Sequence, residues 1–179
     1  KLNISNTFSD VDLTGTYNVG GLIGNAKGLV NIVNSYSIGF IQIAKESGGL
    51  IGEIGTNATA NLTNSLFLGE IIGSNSDNLA ESNGAIDSVV SSFAHMIESV
   101  DAATTSNDVK IDYASLTAIS TYIDWDIEEY NGENTSTWVI GYEDENGNPI
   151  DTMPWLSWQD RPTILKNVET TETSKQVNV

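Results

Sequence analysis

Val19-Gly20-Gly21-Leu22-Ile23-Gly24 returns 28 residues later as Ser47-Gly48-Gly49-Leu50-Ile51-Gly52. A weaker third copy reads Asn83-Gly84-Ala85-Ile86. A second motif runs out of phase with the first: Ile4-Ser5-Asn6-Thr7-Phe8, Ile32-Val33-Asn34-Ser35-Tyr36, Leu62-Thr63-Asn64-Ser65-Leu66 and, in reduced form, Val90-Ser91-Ser92-Phe93. Its Asn/Ser position steps by 28, 30 and 27 residues. Two interleaved motifs that share a period of roughly 20–50 residues predict a stacked array, each repeat burying its apolar side against its neighbours. Glycine suits the corner because it takes positive φ and lets stacked backbones approach closely.

Working outward, each repeat carries short apolar runs bounded by turn residues, the signature of strands. Leu29, Val30, Ile32 and Val33 form one such run, and Leu66, Phe67, Leu68, Ile71 and Ile72 another. Residues 85–103 have a near-helical spacing of apolar side chains, but motif alignment makes Val89 to Phe93 a strand. In a stack, equivalent positions meet. Phe8, Tyr36, Leu66 and Phe93 are then expected to form an apolar ladder, and Asn6, Asn34 and Asn64 an amide ladder. The interval between the second and third Gly-Gly segments stretches from 28 to 35 residues. That places an insertion at 73–82, read as an exposed loop on the face where arrays often bind, with Asn75, Asp77 and Asn78 as candidate binding residues.

Composition narrows the function. Asn, Ser and Thr make up roughly three residues in ten, as a fold with many corners requires. The net charge is -17, so phosphate backbones and anionic lipid are repelled; nucleic acid and direct membrane insertion are not expected. With no cysteine there is no disulfide, thiolate zinc site or Cys nucleophile. Neither a signal peptide nor an apolar run of transmembrane length is visible, and the chain reads as a piece of something longer.

Residues 106–158 differ in character and hold all four tryptophans, Trp125, Trp138, Trp155 and Trp158. The last repeat of an array exposes its core and needs a bulky lid, for which aromatics are suitable. A carbohydrate platform is the rival reading, with Trp155 and Trp158 as its candidate residues. Glu143 to Asp151 reads as a hairpin with Asn-Gly in the turn. Asp144, Asn146, Asn148 and Asp151 supply hard oxygen ligands at tight spacing, which makes calcium the one cofactor the sequence offers. Short helical character is expected over Ser115–Ile119. His95 is a lone histidine beside an apolar segment and carries no catalytic expectation.

Asn34-Ser35-Tyr36-Ser37-Ile38-Gly39 followed by Gly48-Gly49-Leu50-Ile51-Gly52 resembles the GLUG repeat of bacterial surface proteins. Tyr122-x-x-Trp125-Asp126, Trp138 and Pro154-Trp155-Leu156-x-Trp158 resemble the module that often closes such arrays. The resemblance covers residues 1–158 and departs from the pattern at Ser91-Ser92-Phe93 and at Ala85. It implies an all-β chain: a right-handed β-solenoid of about three to four repeats over residues 1–105, a Trp-rich capping module over 106–158, and a linker or the start of another domain over 159–179. It also implies an exported protein, an extracellular adhesin or stalk at the cell surface. Its partners would be a host or neighbouring-cell glycan or a matrix protein. Self-association through the uncapped N-terminal end of the array is a second expectation, and a non-catalytic part of a large secreted protease or polysaccharide-degrading enzyme a third. No catalytic residue carries over from the family. The chain has no His-Glu-x-x-His and no basic cluster for a lyase, and Asp124/Asp126 or Asp77/Asp87 would serve as a hydrolase's carboxylate pair only by special placement. It is expected to be non-catalytic.

Overall fold

A computed structural model describes residues 1–77, 79–82, 85–90, 92–100, 111, 113–160 and 162. The described chain is predominantly β and falls into two compact units, Lys1–Ile111 and Asp112–Val179. The expected boundary at 105/106 lies outside the described residues, as does most of 159–179.

In the first unit the chain visits three sheets in turn. The opening circuit is β1 (Leu2–Ser5), β2 (Phe8–Asp10), β3 (Leu13–Gly20) and β4 (Ile23–Ala26). The second is β5 (Leu29–Val33), β6 (Tyr36–Gly48) and β7 (Ile51–Ile54). The third is β8 (Thr59–Thr63), β9 (Leu66–Asp77) and β10 (Ala80–Ser82), followed by β11 (Ala85–Val90) and β12 (Phe93–Val100). Every strand pairs in parallel with its counterpart one circuit later, giving the orders β1-β5-β8-β11, β4-β7-β10 and β2-β6-β9-β12, with β3 also on β6.

The pairing offset is the sequence period. Ile4 pairs with Ile32 and Ile32 with Leu62; Phe8 pairs with Tyr36, Tyr36 with Leu66 and Leu66 with Phe93. The Phe8 and Tyr36 rings stack 5.3 Å apart. Like side chains therefore lie over like, and Val30, Ile32, Ile41, Leu50, Ile51, Ile54, Leu62, Phe67, Ile71 and Leu79 close into one buried core. In β5 the alternation turns Val30 and Ile32 inward and leaves Asn31 half-exposed between them.

The polar rungs differ from expectation. Inter-circuit amide bonds join Asn31 Nδ2 to Asn3 Oδ1 (2.8 Å) and Asn61 Nδ2 to Asn31 Oδ1 (2.9 Å), rather than Asn6, Asn34 and Asn64. Those three take φ of 51°, 48° and 48°, the left-handed region in which asparagine is among the few tolerated side chains. Their role is to turn the backbone between β1 and β2 and its equivalents. The neighbouring hydroxyls form the second ladder: the Thr7, Ser35 and Ser65 amides donate to the Ser35, Ser65 and Ser92 hydroxyl oxygens. The Ser35 and Ser65 hydroxyls donate in turn to the carbonyls two residues earlier, those of Val33 and Thr63. These serines are buried, so a corner that would otherwise leave amides without partners inside the protein is satisfied along its length.

Two further expectations change. Positive φ among the described glycines is confined to Gly39, Gly132, Gly141 and Gly147, so the Gly-Gly corners do not use it. They serve close approach: a Cβ on Gly20 would lie 2.3 Å from the Gly52 amide nitrogen, and one on Gly21 2.7 Å from the Gly49 carbonyl oxygen. The loop expected at 73–82 is strand instead, with Lys45 paired to Ser74, Ser47 to Ser76, Gly48 to Asp77 and Ile51 to Ala80. Leu79 and Ala80 are buried, and Leu50 N–H donates to Leu79 O as Leu22 N–H does to Leu50 O. The third counterpart of the glycine corner thus contains Asp77, Leu79 and Ala80. Ala85 and Ile86 belong to the next strand, paired with Thr59 and Ala60.

The second unit opens with a single helical turn, α1 (Tyr113–Leu116), and a 3-10 turn at Ile119–Thr121. A small mixed sheet follows, in the order β13 (Ile127–Glu129), β14 (Trp138–Ile140), β17 (Trp155–Leu156); the first pair is parallel and the second antiparallel. A hairpin of β15 (Tyr142–Glu143) and β16 (Pro149–Ile150) lies between β14 and β17 in the chain. Trp125 sits 4.8 Å from both Tyr122 and Trp138, ring centre to ring centre, and these rings form one side of the unit's core.

Candidate functional site

A cleft of about 270 Å³ opens among the described residues of the second unit. Its walls come from four short segments: the turn at Thr117 and Ile119, the end of β13 at Glu129-Tyr130, Ile140 to Glu143, and Pro149 to Thr152. Gly141 is the pivot. With φ of 82° it ends β14 and redirects the chain into the hairpin. Its N–H donates to Thr152 Oγ1 (2.8 Å), Thr152 Oγ1 donates to Met153 O (2.9 Å), and its carbonyl accepts the Trp155 indole N–H (3.2 Å). Tyr130 and Tyr142 lie 5.3 Å apart in the wall, backed by Trp155 at 6.2 and 6.5 Å.

Glu129, Glu143 and Asp151 add carboxylates to this aromatic wall, and no Lys, Arg or His lines it. Tyrosine faces with carboxylates beside them can stack on an apolar ring and accept from hydroxyls or an ammonium group. Among the described residues no three His, Asp or Glu are grouped so as to hold a metal ion, and no helix is long and apolar enough to cross a membrane.

The sequence candidates are distributed differently. Asn75 and Asp77 lie within β9, and Asn78 lies outside the described residues. Trp155 is 1% exposed and offers no face to a ligand, whereas Trp158 is 58% exposed. Asp144 is occupied by its own turn: Asn146 N–H and Asn148 N–H donate to Oδ1, and Asn148 Nδ2 donates to Oδ2. Asp151 alone of the calcium candidates reaches the cleft. Asp124 is exposed, and Asp126 accepts from both the amide and the hydroxyl of Thr137. Glu129, Tyr130, Tyr142, Glu143 and Thr152 line the cleft but are not among the binding candidates that the sequence offers. The one linear signal for them is a pair of Tyr–Glu neighbours, Glu129-Tyr130 and Tyr142-Glu143.

Carboxylates also hold the loops of this unit. Glu128 Oε1 accepts from the Thr135 and Ser136 amides, closing the 130–137 loop onto β13. Hydrogen bonds lower the carboxyl pKa of three groups: from the Thr137 hydroxyl and amide for Asp126, from the Ser136 and Thr135 amides for Glu128, and from Asn148 then Asn146 for Asp144. Burial pushes the Tyr122 phenol the other way, upward, while its hydroxyl donates to Leu116 O (2.7 Å).

A folded pKa below the unfolded one contributes stability that is complete above the unfolded value and lost as pH falls through the folded value. The second unit is therefore expected to weaken on acidification below about pH 4, near the unfolded carboxyl range. Asp126 is exposed and Glu128 and Asp144 are partly exposed, so each effect is modest. Relief of the net charge of -17 acts in the opposite direction, so the test is a difference. Thermal melts followed by tryptophan emission between neutral and acid pH should converge for Asp126→Asn and the parent as acid is added. Parallel curves would reject the assignment.

No family model, curated protein or solved structure matches the chain.

Proposed function

We propose that the first unit is a right-handed β-solenoid and that the chain is a non-catalytic binding segment of a secreted or cell-surface protein, of the GLUG-repeat kind that its motifs resemble. The observation that carries the reading is the register: three parallel sheets visited in turn, each strand paired with its counterpart about 28 residues on. A repeated parallel connection of this kind is right-handed in nearly all proteins. Ladders of Asn and Ser running along the stack make a stiff scaffold whose rungs satisfy one another. An acidic, polar exterior suits an extracellular support, and the Tyr–Glu cleft of the second unit is the place for a ligand.

Hydroxyl-rich glycans and basic patches on matrix proteins are the two ligand classes that tyrosine faces and carboxylates accommodate. The test is a panel of both, titrated against the full chain and against Tyr142→Ala and Glu143→Gln. Saturable binding to one class, weakened on the order of tenfold by either change, is expected. Failure of the whole panel would reject the binding role, and binding indifferent to both changes would reject the cleft as its site.

The alternative is a self-assembling subunit of a fibre or surface layer. It is favoured by the register itself, since parallel sheets whose strands pair with their own counterparts can continue edge to edge into a second copy.

A further inference from the structure

The cleft of the second unit combines half-buried tyrosines with exposed carboxylates. The rings of Tyr130 and Tyr142 lie 5.3 Å apart, their planes 48° from parallel, and both pack on the buried Trp155. Tyr130 N–H donates to Ile140 O, and Tyr142 pairs with Ile150 across the hairpin. The two rings are therefore set before any ligand arrives, which lowers the cost of ordering them on binding. Glu129, Glu143 and Asp151 are exposed beside them. Asp126, Glu128 and Asp144 are occupied by amides of their own loops. Among the described residues no hydrogen bond or ion pair engages the carboxylates of Glu129, Glu143 and Asp151.

Three features narrow the ligand. The cleft is rich in acceptors and poor in donors. The Thr117 and Thr152 hydroxyls donate to Ala114 O and Met153 O, and the described lining residues include no Lys, Arg or His. A sugar hydroxyl is donor and acceptor at once and would find few donors here, whereas a guanidinium or ammonium group has donors alone. The carboxylates are also spread out. Among the described residues no three acidic groups stand close enough to hold a metal ion, so a point charge does not reach them together. Arginine carries its donors in a planar fork and has a flat face that stacks on tyrosine; lysine is a compact point charge. Finally, about 270 Å³ is less than the roughly 300–1,000 Å³ of sites that enclose a drug-sized ligand. It is room for a single side chain entering from a partner's surface.

We propose that this cleft receives one arginine side chain of a protein partner, its guanidinium against the tyrosine pair and its N–H groups directed to the surrounding carboxylates. The net charge of -17 draws a basic partner to the chain, and the cleft selects the residue that enters. The assignment rests on the cleft as the ligand site and narrows its two ligand classes to one.

The experiment titrates short blocked peptides, glycine-flanked and differing only in a central arginine, lysine or citrulline, into the isotope-labelled full chain and follows its amide resonances. The arginine peptide should give saturable shifts with a Kd on the order of 1 mM, confined to Tyr130, Gly141, Tyr142 and their neighbours. Citrulline, which keeps the shape and removes the charge, should bind about tenfold more weakly, and lysine more weakly than arginine. Glu143→Gln should cost about two- to fivefold, the worth of an exposed ion pair, and Tyr142→Ala about tenfold. Glu143 is exposed, so its variant keeps the test valid where Tyr142→Ala loosens the hairpin. Glu145→Gln is the control: it removes the same charge from the same hairpin outside the cleft lining, and the affinity should not change. Equal binding by the citrulline or lysine peptide would overturn the assignment, as would equal losses from Glu145→Gln and Glu143→Gln or shifts scattered over the whole chain. Absence of binding by the arginine peptide would overturn it too. If a glycan then shifts the same amides, the arginine assignment alone has failed; if no ligand does, the cleft has failed as a ligand site.

Discussion

Gly52→Ala is expected to unfold or severely destabilise the first unit while Gly28→Ala leaves it intact. A Cβ at position 52 would lie 2.5 Å from the Asn18 carbonyl carbon and 2.6 Å from that of Val19. Both are backbone atoms of the preceding circuit, so no rotamer change relieves the overlap and the circuits themselves must part. Overpacking of a tight core costs about 1–3 kcal/mol when side chains can yield. Here the backbone must yield, which places the cost at the upper end or beyond, a fall in melting temperature on the order of 10 °C or more for a unit of this size. Position 28 is the control. Nothing lies within 4 Å of a Cβ there, and its φ is not in the left-handed region. Alanine should be neutral or stabilise by about 0.4–1 kcal/mol through the unfolded chain. The readout is far-UV circular dichroism during heating. Tryptophan emission is followed in parallel and reports on the second unit, which holds all four tryptophans. A Gly52→Ala midpoint within a degree or two of the parent would show that the circuits are not in contact at this corner.

The same corner shows how far the sequence could be read. The period was legible because stacking places like on like, and the Phe8, Tyr36, Leu66, Phe93 alignment appears in the strand register. Glycine was the wrong marker for the third circuit. What recurs there is the buried leucine, Leu50 then Leu79, while Asp77 pairs with Gly48 and the register slips between Ala80 and Ser82. Following glycine instead of leucine produced an insertion at 73–82 that the pairing does not contain. The asparagines were misassigned for a related reason. Each repeat has two, three residues apart, and both recur at the same period, so spacing cannot say which one stacks through its side chain. Alternation can: Asn31 lies between inward Val30 and Ile32 and so faces out beside its counterparts, whereas Asn34 ends the strand and turns the chain. The cleft was illegible because Thr117, Tyr130, Tyr142 and Asp151 come from separate segments that converge only in three dimensions. The acidic hairpin showed its ligand-like oxygens in sequence, but not that Asp144 binds its own turn.

Trp138→Ala is expected to cost the second unit about 3–5 kcal/mol, the range for deleting a large buried aromatic side chain. Trp138 occupies the middle strand of the small sheet, paired with Ile127 on one side and Leu156 on the other, and is fully buried. Its ring packs 4.8 Å from Trp125, which in turn packs 4.8 Å from Tyr122, so its removal opens a cavity at the end of a chain of contacting rings. A sheet of three short strands has little else to hold it. A loss of that size is comparable to the whole stability of a small domain, which is on the order of 5 kcal/mol at the low end. The consequence reaches the cleft, because β14 carries Ile140 and leads into Gly141, and Gly141 is pinned from both sides by Thr152 and Trp155. The variant should show red-shifted emission from its remaining tryptophans at temperatures where the parent is folded, and should lose any ligand that the cleft binds. Trp158→Ala is the matching control: that ring is largely exposed, and a much smaller change is expected. If Trp138→Ala melts with the parent, the aromatic cluster is not the core of this unit. If Trp158→Ala proves the more damaging, the buried and exposed faces of the tryptophan-rich module have been assigned the wrong way round.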